Sequence, residues 1–330
     1  MKLRVKRRAL LAVMPWPLLA HASGGHARPV VMPVVGYLSA SSAASSESVL
    51  PVFRQGLKES GYVEGRNVAI EFRWADGRYD LLPGFAQELV ARKVTVLVAI
   101  GGPAARAARQ ATSSIPIVFQ SGGDPVRFGL VESLARPGGN ATGISLNLVG
   151  LTPKRLELLR ELVPKLNSVA YLTNPGLEGT PVELSEVQKA AQAMGLALHV
   201  EEARAAEDIE PAFARMARLR PSALLVGSSI LFVVQRDQVV ALAARHAMPA
   251  IYELSHYVTQ GGLISYGPAV LEAVRPIGVY TGRILAGAKP ADLPVQQPSK
   301  FELVINATTA KVLGLTLSPA MLARADAVVE

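Results

Sequence analysis

The chain contains no cysteine, which excludes a disulfide framework, a thiolate metal site and a catalytic thiol. Aromatic residues are scarce at 5%, and there are only five histidines. His21 and His26 lie near the N-terminus, His199 falls in a strand pattern, His246 near a helix C-terminus and His256 in a loop. None has a sequence neighbour that completes a metal pair or a nucleophile's base, so structural roles are expected for them. There is no Gly-x-Ser-x-Gly elbow, no His-Glu-x-x-His and no Gly-x-Gly-x-x-Gly. Gly282 to Lys289 comes nearest to a phosphate loop, but it has the wrong spacing and reads as a helix end. These absences predict a chain that is not an enzyme and that needs no cofactor and no metal.

The N-terminus carries five cations (Lys2, Arg4, Lys6, Arg7, Arg8) and no acid, then an apolar run from Ala9 to Ala20, then Ala20-His21-Ala22. This is the three-part layout of a signal peptide. The run is shorter than the roughly 20 residues of a spanning helix, and Pro15 and Pro17 interrupt it. The reading is a cleaved leader over residues 1–22, with a second small-residue site at Gly25-His26-Ala27 allowing a cut as late as residue 27. With no cysteine to accept a lipid, the expected location is free in a periplasm and not embedded in the membrane. Removal of the leader lowers the formal charge from +8 to +3, and no Lys/Arg block remains to suggest a nucleic-acid partner.

What remains, half of it hydrophobic over the whole chain, is long enough for two domains. Apolar runs read as strands at 31–38, 68–72, 94–100, 115–119, 169–172, 196–200, 223–226 and 249–252. They alternate with helical patterns starting at Ser46 and at 80–92, 102–112, 152–164, 182–194, 207–219, 230–246 and 269–286. Alternation of this kind predicts parallel sheets covered by helices on both faces. Ala135-Arg136-Pro137-Gly138-Gly139-Asn140 is the strongest turn signal, after which a second αβ series begins, so the first crossing between domains is placed at 140–150. Asn140-Ala141-Thr142 matches a glycosylation acceptor and is better explained as a turn entering a strand. Lys289 to Pro298 is proline-rich and reads as a connecting loop or hinge return.

Ligands of open parallel sheets bind outside the carboxyl ends of the strands, where loops and helix N-termini offer unpaired N–H groups. In the first half those positions hold Ser39, Ser41 and Ser42, then Arg73-Trp74-Ala75, then Gly101-Gly102, then Gln120, Ser121, Gly123 and Asp124. In the second half they hold Asn174, Ser228, Ser229 and Tyr252-Glu253. Hydroxyls, glycines and amides without paired acids and bases describe a recognition surface. Each loop also has an ordinary reading as turn and cap residues, and Trp74 suits either ligand stacking or core packing.

Phe53-Arg54-Gln55-Gly56-Leu57, Gly61 to Asn67, Arg73-Trp74-Ala75 with Gly77-Arg78-Tyr79, Ile115 to Phe119, Gly123-Asp124-Pro125-Val126, Leu134 to Asn140 with Thr142-Gly143, Gly261 to Pro268 and Lys300 to Asn306 together resemble one family in order along the chain. It is the substrate-binding components of ABC transporters, in the branch with tryptophan- and tyrosine-binding proteins. The resemblance implies a type I periplasmic-binding-protein fold: two doubly wound parallel-sheet α/β lobes joined by three crossings and closing on a solute. It implies a first lobe of 30–145 plus 255–285 and a second of 146–254 plus 286–330. The ligand-binding candidates it implies are Ser39, Ser41, Ser42, Gly101, Gly102, Gln120, Ser121, Gly123 and Asp124 on one side, and Asn174, Ser228, Ser229 and Tyr252 on the other; Trp74, read from its own position, is a further stacking candidate. The implied partners are a small organic solute, an aromatic acid or amino acid, and an ABC permease with its ATPase, the binding protein acting as a monomer. A sensor subunit for a membrane receptor is the alternative. Relatives often carry an aspartate where this chain has Ser229 and an arginine where it has Ser255, so Asp124 is the expected source of negative charge for a ligand ammonium.

Overall fold

The computed structural model describes residues 32–330; the leader assigned to residues 1–22 lies outside them. The first sheet begins with β1 (Val34–Ser39), followed by α1 (Leu50–Glu59), β2 (Ala69–Trp74), α2 (Leu82–Ala91), β3 (Val96–Ile100), α3 (Gly102–Ala111), β4 (Ile117–Ser121) and β5 (Ala141–Ser145). After α4 (Thr152–Leu162) come β6 (Ser168–Thr173), α5 (Thr180–Ala193), β7 (Ala197–Glu202), α6 (Ala206–Leu219) and β8 (Ala223–Val226). The chain continues with α7 (Ile230–Val234), α8 (Arg236–Arg245), β9 (Ala250–Tyr252), α9 (Ser255–Thr259), β10 (Ile264–Pro268) and α10 (Val270–Leu285). It ends with β11 (Phe301–Asn306), α11 (Ala307–Val312), α12 (Pro319–Arg324) and β12 (Ala327–Val329).

The strands form two sheets, ordered β2-β1-β3-β4-β5 and β12-β11-β10-β9-β8-β6-β7, parallel throughout except where β10 meets β11. Their central strands are buried on both faces, as in β3, β4, β6 and β8, which explains their unbroken apolar runs. The edge strands β2 and β7 are half-exposed, so the uniform burial read from their sequence does not hold there. In the first sheet the order reverses between β1 and β3, and in the second between β6 and β8. Both reversals open a crevice at the carboxyl ends of the strands.

The chain passes between the lobes three times: at 146–151, between β10 and α10, and at 297–300. The segment 255–285, read as first-lobe sequence, divides at the second crossing. β10 is hydrogen-bonded within the second sheet, whereas α10 packs on α1 and on β3 to β5. The segment 286–330 divides too, since Val295 and Gln296 bond to Leu134 and Gly143 of the first lobe before β11 joins the second. α10 lies against α1 at backbone distance because Gly56 and Gly278 face across the contact; a Cβ on Gly278 would collide with the carbonyl of Phe53. The pattern expected as one helix over 230–246 is broken at Gln235, whose backbone leaves helical geometry between α7 and α8.

Candidate functional site

A cavity of about 180 Å³ lies between the lobes, larger than the roughly 150 Å³ that accommodates a benzene ring. Its first-lobe wall is built where β1, β3 and β4 end. Ser41 and Ser45 share a hydroxyl contact of 2.6 Å. Gly101 has φ +96°, a conformation that favours glycine, and it turns the chain so that α3 points its N-terminus at the cavity. Gln120 and Ser121 are buried in this wall, and the Nε2 of Gln120 has no partner within the protein.

The second-lobe wall carries Ser228, Ser229, Glu183 and Glu253. Glu183, buried on α5, accepts hydrogen bonds from Thr152 Oγ1 (3.0 Å), Ser228 N (3.1 Å) and Ser228 Oγ (3.1 Å). Glu253 immediately follows β9 and is equally buried, but its Oε2 has no partner within the protein. Burial, helped by the nearby Glu183 charge, pushes the Glu253 carboxyl up to about 7, against the pull of the Arg155 charge and of a Ser228 hydrogen bond. Arg155, fully buried on α4, donates to the Leu148 carbonyl and to Thr152 Oγ1, while its Nε and Nη1 lack partners within the protein. Burial, reinforced by the charge of Arg236, lowers the pKa of His256 on the same wall.

The lobes touch directly around the cavity. The Tyr79 hydroxyl of the first lobe accepts from the Leu231 N–H at 3.0 Å and lies 3.2 Å from Ser229 Oγ. Burial raises its pKa, so it stays a neutral phenol. Arg106 on α3 pairs with Glu178 across the opening.

Of the residues singled out in the sequence, Ser41, Gly101, Gly102, Gln120, Ser121, Gly123, Ser228 and Ser229 come together on the cavity. Six do not line it. Ser39 is wholly buried and its hydroxyl accepts from Ser41 N. Ser42 turns back to Ser45 Oγ at 2.7 Å. Trp74 stacks on Phe72 with ring centroids 5.4 Å apart and leans on Tyr37, a core role. Asp124 is exposed and caps its own turn, accepting from Val126 N and Arg127 N, so it does not supply the cavity's negative charge. Asn174 supports the wall from behind, accepting from Gly176 N and reaching Ser229 Oγ at 3.5 Å. Tyr252 points into the second core and stacks on Tyr257 at 4.6 Å. Strand alternation turns its neighbour Glu253 to the cavity instead. Glu253 stands beside Tyr252 at the strand end but is not among the ligand candidates, and Tyr79 and Glu183 are not named there because neither directly follows a strand.

Two doubly wound lobes with a cavity between their strand ends define the type I periplasmic-binding class of ligand-binding folds. The chain belongs to the ABC transporter substrate binding protein family, whose model matches residues 42–329. It is similar to a tyrosine-binding protein of Clostridioides difficile (strain R20291), 27% identical over 263 residues that cover 80% of this chain and 75% of that one. Among solved structures it resembles an ABC domain from Streptococcus pneumonia in complex with L-Trp, with 26% identity and a TM-score of 0.83 over 91% of this chain and 100% of the other. A conserved domain protein from Vibrio cholerae gives 28% identity and a TM-score of 0.83 over 90% of this chain and 100% of the other. Among the described residues, no helix is long and apolar enough to cross a membrane.

Proposed function

We propose that this protein is exported to the periplasm, captures a small organic solute between its lobes as a monomer, and delivers it to an ABC permease and its ATPase. The observation that carries the reading is the cavity at both topological switch points, bridged by Tyr79 and by the Arg106–Glu178 pair. Contacts of that kind form only when the lobes are together, so a transporter can read closure as occupancy. The relatives named for tyrosine and bound to L-Trp favour an aromatic acid or amino acid. The start of α3, with its free N–H groups, suits a solute carboxylate. Ser41, Gln120, Ser121, Ser228 and Ser229 supply hydroxyl and amide contacts in this reading.

Thermal-shift titration of the purified chain with L-tyrosine, L-tryptophan and aromatic carboxylic acids tests capture. A solute at a hundredfold excess over its dissociation constant contributes about 2.7 kcal/mol, a rise in Tm of roughly 5 °C or more for a chain of this size. Uptake of the same radiolabelled solute by cells with and without the gene tests delivery. A bound solute whose uptake is unaffected by deletion would count against the transport role and leave binding intact.

A further inference from the structure

We infer that the solute carries a cationic nitrogen, and that Glu253, with Glu183 beside it, is the residue that selects for it. This rests on the solute-binding reading above. The wall contains two buried carboxylates, and the one buried guanidinium near them, that of Arg155, lies behind the wall and not on the cavity. Neither carboxylate comes within ion-pair distance, 4.0 Å, of a described Arg, Lys or His nitrogen. Glu183 is occupied by Thr152 and Ser228, whereas Glu253, also on the cavity, keeps one carboxylate oxygen, Oε2, unpartnered within the protein.

The other charges at the cavity are engaged elsewhere. Arg106 is paired with Glu178, and Arg236 donates to the Val233 carbonyl at 3.3 Å with Asp237 at 3.8 Å. One negative charge in this wall therefore has no counter-charge from the protein. An uncompensated buried charge is costly, and a solute ammonium, amidinium or guanidinium supplies the missing partner.

Capture is then linked to protons. Since Glu253 must be ionised to hold a cation, and burial raises its pKa to about 7, affinity is full above that pH and falls about tenfold per unit below it. The groups around Glu253 do not reverse the sign. Tyr79 from the first lobe and Tyr257 from α9 have raised pKa values and stay neutral, and the guanidinium of Arg155 is a fixed cation. His256, with its lowered pKa, charges only at still lower pH and would repel a cation further.

The test is calorimetric titration of the full chain at pH 5.5, 7 and 8.5. L-tyrosine, tyramine and agmatine, which carry a cationic nitrogen, are set against 3-(4-hydroxyphenyl)propionate and 4-hydroxybenzoate, which do not. The expected result is binding confined to the nitrogen-bearing set, weakening about tenfold per pH unit below 7. Glu253→Gln is expected to bind about 30-fold or more weakly, as when one member of a buried charge pair is truncated, and with a flat pH profile. The wild-type pH profile tests the same point without any variant. Binding of the acids as tightly as the amines, or amine binding indifferent to pH and to Glu253→Gln, overturns the inference and leaves solute capture standing. Binding of neither set overturns both.

Discussion

At the residue scale, Glu253 ties stability to pH. Its folded pKa of about 7 stands above the ordinary 4.5, so between those values the folded chain keeps a proton that the unfolded chain has released. Stability therefore falls as pH rises through that window and is highest below it. Glu253→Gln removes this cost: urea denaturation is expected to show the variant more stable than the parent at pH 8, by up to about 3 kcal/mol at 1.36 kcal/mol per pKa unit. At pH 4.5 the two should be equal. Tyr79→Phe deletes the acceptor of the Leu231 N–H while leaving the ring in place. About tenfold weaker solute affinity is expected from one lost buried hydrogen bond, with melting of the solute-free protein nearly unchanged. Trp74→Phe should do the opposite. Because Trp74 packs on Phe72 and Tyr37 and not on the cavity, stability should drop by about 1–3 kcal/mol while calorimetric affinity is retained.

At the element scale, the contact between α1 and α10 joins the lobe to the hinge. α10 begins two residues after β10 ends, and thus carries the second sheet's position into the first lobe. Its approach depends on Gly56 and Gly278, where a side chain would meet backbone and not a yielding side chain. Gly278→Ala is expected to lower stability by about 1–3 kcal/mol through overpacking, measured by urea denaturation. By shifting α10 it should also weaken solute binding, although Gly278 lies off the cavity. Helices of this kind were legible because α1 places Phe53 and Leu57 on one face. β5, β10, β11 and β12 were not read as strands. β5 is a short Ala-Thr-Gly-Ile-Ser segment after a strong turn signal, and only its hydrogen bonds to β4 show that it belongs to the sheet. β11 owes its place to an antiparallel return that periodicity does not specify.

At the scale of the whole molecule, the polar bridges between the lobes sit beside apolar contacts of Ile230 and Leu231 with the first lobe. Arg106 and Glu178 are each nearly half exposed, so water screens the pair and it is worth about 1 kcal/mol or less. Arg106→Ala should weaken solute affinity by less than about fivefold at low salt, and the difference should vanish at high salt. Combined with Tyr79→Phe it removes both of these polar bridges. Small-angle scattering of that double variant should then give a larger radius of gyration without solute than with it.

What the sequence determined by itself was periodicity and punctuation. Buried strands must be apolar on both faces, helices must present a stripe, and glycine and proline must mark the turns, so two parallel αβ series and the loops at their strand ends could be read in order. Eight of the residues named in those loops meet at one cavity for that reason. Only the tertiary structure decided which side chain of each loop faces it. A one-residue step along a strand reverses the face, so Tyr252 went to the core and Glu253 to the cavity wall. Tyr79 and Glu183 entered the site from other elements, brought there by packing between segments distant in the chain. Asp124, the acid that sequence offered, spends its carboxylate on its own turn, and the acid on the cavity wall with an unpartnered carboxylate oxygen is Glu253.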